Sequence, residues 1–423
     1  MKRLALIFLI LLAAVFAATA YFGLREDQVA ASSSGGGDLV ARGAYLARAG
    51  DCQACHTTRG GAPYAGGRAI RTPFGTIHAP NITPDNETGI GAWSTDDFWN
   101  ALHNGKGKDG KLLYPAFPYP NYTRVTRADS DAMHAYFMSL PPVRQANKEP
   151  ELRFPFNHRA LLVAWRALYF RPAVFAEQPQ KDAEWNRGAY LVQGLGHCSA
   201  CHTQRNVFGA TSDKRDLGGA MIPMLGWYAA SLTGESEAGL GTWEVQHLVD
   251  LMKTGISARG VVSGPMSEVV RESLQHLSDA DLRAMAVYLK SLPRAGAKES
   301  GTPAALTPEN ERVIKQGAAL YEKHCVECHK DSGAGEPPHI PVLTGNHAVM
   351  LDSPANSIRA VMHGGYPPST QGNPRPFGMP PFGNMLSDEE VAAVVSFVRN
   401  NWGNRASMVS GQQVNTYRTV QLD

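Results

Sequence analysis

All six cysteines of the chain fall in one repeated pentapeptide: Cys52-Gln53-Ala54-Cys55-His56, Cys198-Ser199-Ala200-Cys201-His202 and Cys325-Val326-Glu327-Cys328-His329. At helical pitch, residues i, i+3 and i+4 share one face, so each pentapeptide offers two thiols and an imidazole together. That set suits covalent haem c attachment. The thiols form thioethers with the two vinyl groups, and the histidine meets the iron as proximal ligand. Competing chemistries are a thioredoxin-like redox pair and half of a zinc site. A zinc site needs the pairs to combine, and three pairs leave one over. The expected cofactors are therefore three haem c groups, with His56, His202 and His329 as iron ligands.

The elements that must position these groups recur with them. Ahead of each motif runs a short helical stretch with an early glycine: Gly43-Ala44-Tyr45-Leu46, Gly188-Ala189-Tyr190-Leu191 and Gly317-Ala318-Ala319-Leu320. Long after each motif a second helix is predicted to start at Thr126, Ser278 and Ser387, with Asp129, Asp281 and Glu390 three residues on. That is capping-box spacing, with Asp the weaker partner. Ten residues after each cap stands an aromatic: Tyr136, Tyr288 and Phe397. The glycine lets that helix approach closely. Between them, Gly91 to Gly105 aligns with Gly241 to Gly255, Trp93 over Trp243. The pattern predicts an all-α chain of three tandem haem domains, at 38–143, 183–295 and 307–405, with a polar tail at 406–423.

A shuttle of electrons closes its sixth iron position with Met or His, and Met raises the potential. The ligand belongs in the loop before the last helix. Met266, in Gly264-Pro265-Met266, fits the second domain. Met379, in Gly378-Met379-Pro380-Pro381, fits the third and is preferred to Met385 because prolines stiffen its loop. In the first domain Phe117 stands where a Met is expected, within Tyr114-Pro115-Ala116-Phe117-Pro118-Tyr119. The alternatives there are His103, His78, one of Met133 and Met138, or an open site. His363 repeats the position of His103 in a domain that already has Met379, which weakens His103.

Composition narrows the class. The 423 residues are 43% hydrophobic and 18% charged, which is globular and not disordered. Forty Lys plus Arg against 38 Asp plus Glu give no basic excess, so nucleic acid is not an expected partner. Lys2 and Arg3 precede an uncharged stretch from Leu4 to Leu24. Residues 1–24 read as an export signal, with Ala18-Thr19-Ala20 suiting cleavage, or as a retained membrane anchor of roughly 20 apolar residues. A linker at 25–37 carries Ser32 to Gly37, and a second linker spans 296–306. The segment 144–182 has no haem motif. It holds a predicted amphipathic helix from Arg159 to Phe170, with Leu161, Trp165 and Leu168 in a stripe widened by Leu162 and Tyr169. Such a helix clamps two domains, faces a partner, or lies at a membrane interface.

The three motifs, with Pro80-Asn81-Ile82-Thr83-Pro84-Asp85 and Trp185-Asn186-Arg187-Gly188-Ala189-Tyr190-Leu191, resemble one family over about residues 38–405. It is the three-haem cytochrome c subunit of bacterial membrane-bound dehydrogenases, whose domains are class I cytochrome c-like. The resemblance implies attachment through all three motifs and Met ligation through Met266 and Met379. Phe117 departs from the Met of many members. It also implies a partner: a catalytic dehydrogenase subunit of quinoprotein, flavin or molybdenum type. The chain would then be an electron-transfer subunit and not itself an enzyme. It would pass electrons to membrane quinone or a terminal oxidase, on the periplasmic side of the bacterial inner membrane. Two other readings are a peroxidase-like haem enzyme using an open first haem, and a free periplasmic multihaem carrier.

Overall fold

The computed structural model describes residues 2–27, 38–212, 215–234, 239–293 and 307–418. The linker residues Ser32 to Gly37 and the joint at 296–306 lie outside the described residues. The chain folds as two compact units. One comprises Met1–Pro179, Tyr190–His197 and Arg205–Ala210; the other comprises Gln180–Ala189, Cys198–Gln204 and Thr211–Asp423.

In the first unit the helix Leu39–Ala49 packs on the helix Arg127–Ser139. The expected cap forms: the Thr126 hydroxyl accepts from the Asp129 amide at 3.2 Å. The Asp129 carboxylate is drawn to the opening helix instead of back to the cap, where it accepts from Arg42 Nε at 2.9 Å. It also accepts from the Tyr190 hydroxyl at 2.5 Å. This is why Asp serves at a position where a capping box would ask for Glu.

The second unit repeats the scheme with both of its cysteine motifs. Ser278 caps Asp279–Lys290 through the Asp281 amide, and Arg187 binds the Asp281 carboxylate at 2.8 and 2.7 Å. Ser387 caps Asp388–Arg399 in a full capping box: the Glu390 carboxylate turns back to accept from the Ser387 amide at 2.8 Å. The helix Pro308–His324 packs against that helix. Within this unit the Asn356 side-chain amide exchanges two hydrogen bonds with the Tyr228 backbone, at 2.9 and 2.8 Å. Thr370 Oγ1 donates to the Thr254 carbonyl at 3.1 Å.

Helices dominate, but the expectation of an all-α chain needs amending. Three small antiparallel sheets are present among the described residues: Ala69–Thr72, Gly75–His78 and Glu151–Leu152; Ala220–Ile222 with Trp227–Ala229; and Ile256–Ser257 with Gly260–Val261. The first two sheets follow an attachment helix, where the chain must turn back sharply to bring a carbonyl to the motif histidine. Hairpins do this in few residues.

The N-terminal helix Lys2–Leu24 contains a window of mean hydropathy 2.6, none of it buried, which suits a signal or a membrane-spanning segment. Its C-terminal end docks on the helix Leu161–Tyr169. Arg166, 1% exposed, donates to the carbonyls of Gly23 at 2.7 Å, Arg25 at 3.2 Å and Asn104 at 2.5 Å. The buried face of this helix is thus Leu162 and Arg166, whereas Leu161 and Leu168 are exposed. The expected stripe of Leu161, Trp165 and Leu168 is displaced because an arginine can be buried where three helix-end carbonyls await donors.

Candidate haem sites

Each cysteine pair lies within a single helical turn: Cys52–His56, Ser199–His202 just after Cys198, and Val326–His329 just after Cys325. None of the six cysteines is in a disulfide; the first of each pair is half-buried and the second exposed. Burial pushes the inner thiols up, Cys52 and Cys198 to about 12 and Cys325 to about 11. Among the described residues no cluster of metal-binding side chains forms from separate motifs.

Two of the motif histidines, His56 and His202, are oriented from behind. His56 Nδ1 lies 2.7 Å from the Pro80 carbonyl and His202 Nδ1 lies 2.6 Å from the Ala230 carbonyl. A carbonyl only accepts, so each Nδ1 carries the proton and donates, and Nε2 is left with its lone pair for a metal. Burial holds both imidazoles below their ordinary pKa, with the carbonyls opposing, so they are neutral, as ligation requires. Burial holds His329 low as well, opposed by the nearby Pro341 carbonyl, but its Nδ1 makes no hydrogen bond. The backbone repeats this design. The carbonyls of His56, His202 and His329 accept from Gly66, Gly219 and Gly335 at 2.7, 2.8 and 3.1 Å. All three glycines have positive φ, of 78°, 86° and 57°, the left-handed turn that reverses the chain.

The orienting carbonyls were missed by sequence reasoning. A signal existed: Asn81-Ile82-Thr83 after Pro80 corresponds to Ser231-Leu232-Thr233 after Ala230. In both, a side-chain oxygen accepts from the threonine amide, Asn81 Oδ1 at 2.9 Å and Ser231 Oγ at 3.2 Å.

Aromatic pairs recur in the three regions. Tyr64 packs edge-on against Phe137 at 5.3 Å, Trp185 against Tyr288 at 5.1 Å, and Tyr321 lies 5.3 Å from Phe397. In the first region the Trp99 Nε1 donor is buried without a hydrogen-bond partner. Neutral imidazoles, paired thiols on one turn and a spare buried donor together fit a porphyrin with its carboxylates.

The expected distal residues are placed as follows. Met266 is half-buried in the first turn of Pro265–Glu272. Met379 is partly buried against the third core, its backbone bridged to Gly365 by bonds of 2.8 and 3.0 Å, whereas Met385 is 65% exposed. His78 is bonded to Glu151 at 3.2 Å. His103 is fully buried; its Nδ1 donates to the Thr123 carbonyl at 2.7 Å, and its ring stacks on Trp99 at 4.3 Å. Phe117 is half-buried, 5.3 Å from the Tyr122 ring. Tyr122 Oη in turn donates to the Gly50 carbonyl at 2.7 Å, two residues before Cys52.

The comparisons with known proteins agree with this geometry. The family model for cytochrome c matches residues 40–141 and 314–402. The chain is 41% identical to the gluconate 2-dehydrogenase cytochrome c subunit of Pantoea cypripedii, across 97% of this chain and 96% of that one. It is 41% identical to the cytochrome c subunit of the quinone-type alcohol dehydrogenase of Gluconobacter oxydans, across 90% and 82%. It is 37% identical to the fructose dehydrogenase cytochrome subunit of Gluconobacter japonicus, across 90% and 82%. With its cysteine motifs held on haem-binding turns, the chain belongs to the cytochrome c subunits of dehydrogenase complexes, and its work is electron transfer rather than catalysis on a substrate.

Proposed function

We propose that the chain carries three covalent haem c groups, one in each of the regions 38–143, 183–295 and 307–405, and relays electrons out of a catalytic dehydrogenase subunit. The observation that carries this reading is the repeated histidine arrangement: a motif imidazole held neutral, with Nδ1–H committed to a backbone carbonyl at His56 and His202. When bound, the haems supply one-electron redox centres. The chain's residues do the rest. Cys52, Cys55, Cys198, Cys201, Cys325 and Cys328 anchor the porphyrins, and His56, His202 and His329 ligate from the proximal side. Met266 and Met379 supply thioether sulfur on the distal side and hold those potentials high.

The partner is a dehydrogenase of quinoprotein, flavin or molybdenum type, since the similar chains are named as subunits of alcohol, gluconate and fructose dehydrogenases. The acceptor is membrane quinone or a terminal oxidase, and the location is the periplasmic side of the inner membrane. The apolar helix Lys2–Leu24 supports export and membrane attachment. Purification from native membranes tests the reading. The chain should co-purify with a dehydrogenase subunit, show three haem additions by intact mass, and become reduced when that subunit's substrate is added. Two additions, or no substrate-dependent reduction, would overturn it.

A further inference from the structure

We propose that the first haem has no protein ligand on its distal side and is therefore a binding site for small exogenous ligands. These are neutral diatomic molecules in the reduced state and small anions such as cyanide in the oxidised state. This rests on the three-haem reading above and concerns what the chain places on the far side of one of them.

The first observation is a register. Gly105 ends the helical segment before the distal loop with φ 60°, and Gly255 ends its counterpart with φ 82°. The Leu113 amide donates to the Gly105 carbonyl at 2.8 Å, and the Val262 amide donates to the Gly255 carbonyl at 2.9 Å. Four residues beyond these amides stand Phe117 and Met266. The two positions are equivalent by backbone hydrogen bonding, not only by loop length. A phenyl ring has no lone pair to give iron, so the thioether of the second region is replaced by a hydrocarbon in the first. Phe117 is also near the attachment turn, through Tyr122 and its bond to Gly50.

The second observation is that the other donors of the first unit either pair with protein groups or repeat positions that carry no ligand role in another region. His103 donates its Nδ1–H to the Thr123 carbonyl and lies flat against Trp99, and its buried Nε2 makes no hydrogen bond, with the Asp27 carboxylate 3.9 Å away. His363, at the same place in the repeat, also has a buried Nε2 without a hydrogen bond, in a region that already has Met379, so a free Nε2 at this position does not mark an iron ligand. His78 pairs with Glu151 from a strand. Met133 is 2% exposed inside the closing helix, and Met285, seven residues after its own cap as Met133 is, is equally buried in a region that already has Met266. Met138, 37% exposed, lies near the end of that helix. His197 lies edge-on to Tyr122 at 5.5 Å, with the Gly50 carbonyl as its partner. Iron without a strong sixth ligand is high-spin when ferric and takes up carbon monoxide when ferrous.

The test uses the full-length chain purified from membranes. Haem is first counted as the pyridine adduct, and three per chain validates the parent reading separately. Electron paramagnetic resonance and near-infrared magnetic circular dichroism should then show one high-spin ferric haem and two with methionine ligation. Carbon monoxide should bind one-third of the reduced haem. Phe117→Met should convert the high-spin haem to low-spin and abolish carbon monoxide binding, while His103→Ala leaves both signals unchanged. Three low-spin haems and no carbon monoxide uptake in the unaltered protein would overturn the proposal. So would a high-spin signal that arises only in His103→Ala. A chain lacking haem at the first motif would overturn both this proposal and the three-haem reading. The spectra of the unaltered protein decide the matter even where Phe117→Met does not fold.

Discussion

Gly43 crosses Ala132 so closely that a Cβ built on the glycine would sit 1.9 Å from the alanine carbonyl oxygen. The same crossing recurs between Gly188 and Ala284 at 1.9 Å and between Gly317 and Ala393 at 2.1 Å. The obstacle is backbone, which cannot swing aside as a side chain can. We predict that Gly43→Ala, Gly188→Ala and Gly317→Ala each force the two helices apart and cost about 1–3 kcal/mol, the usual range for overpacking. Denaturant unfolding of each variant measures it. Three midpoints equal to that of the unaltered protein would show that the crossings are not tight.

Arg166 should act as the lock on the N-terminal segment. Its guanidinium serves three carbonyls at once, those of Gly23, Arg25 and Asn104. Charged hydrogen bonds contribute roughly 1.5–3 kcal/mol each and are not additive. Arg166→Leu is therefore expected to destabilise the first unit by about 3 kcal/mol and to speed trypsin cleavage at Arg25. Cleavage at an unchanged rate would mean the segment is held by other contacts.

Potential tuning separates the two candidate methionines of the third region. Met379 is partly buried against the core and bridged to Gly365, whereas Met385 is 65% exposed. Replacing Met379 by His should lower one of three redox steps by on the order of 0.1 V, a fraction of the ~0.8 V that axial ligands span. Met266→His should lower a different step. Met385→His should move none. A titration in which only Met385→His shifts a step would reverse the assignment.

Acid should weaken the first unit. Burial holds His103 and His134 below the ordinary value of 6.5, although the Thr123 and Trp93 carbonyls oppose it. Below that ordinary value the unfolded chain binds more protons than the folded one, so stability rises with pH. The stabilisation is complete above about 6.5 and is lost as pH falls through the depressed values. Melting temperature should decline between about pH 7 and pH 5, and His103→Gln should flatten that decline. A variant with the same slope would remove His103 as a cause.

The local chemistry of this protein was legible in its residues because it depends on short spacings. Two cysteines and a histidine on one turn, a hydroxyl three residues before an acid, and a glycine at a fixed place in a helix all act within a few residues. The caps at Thr126, Ser278 and Ser387 formed as their spacing required. What tertiary structure alone decided lies in contacts between distant segments. Pro80 meets His56 across 24 residues, Ala230 meets His202 across 28, and Arg166 reaches Gly23 across 143. A carbonyl has no side-chain signature, so nothing in Pro80 or Ala230 announces an acceptor until the chain turns back on itself. The same holds for the helix Leu161–Tyr169. Its apolar periodicity pointed to Leu161 and Leu168, but its buried side is set by Arg166, because the unsatisfied carbonyls at the end of another helix were there to receive it.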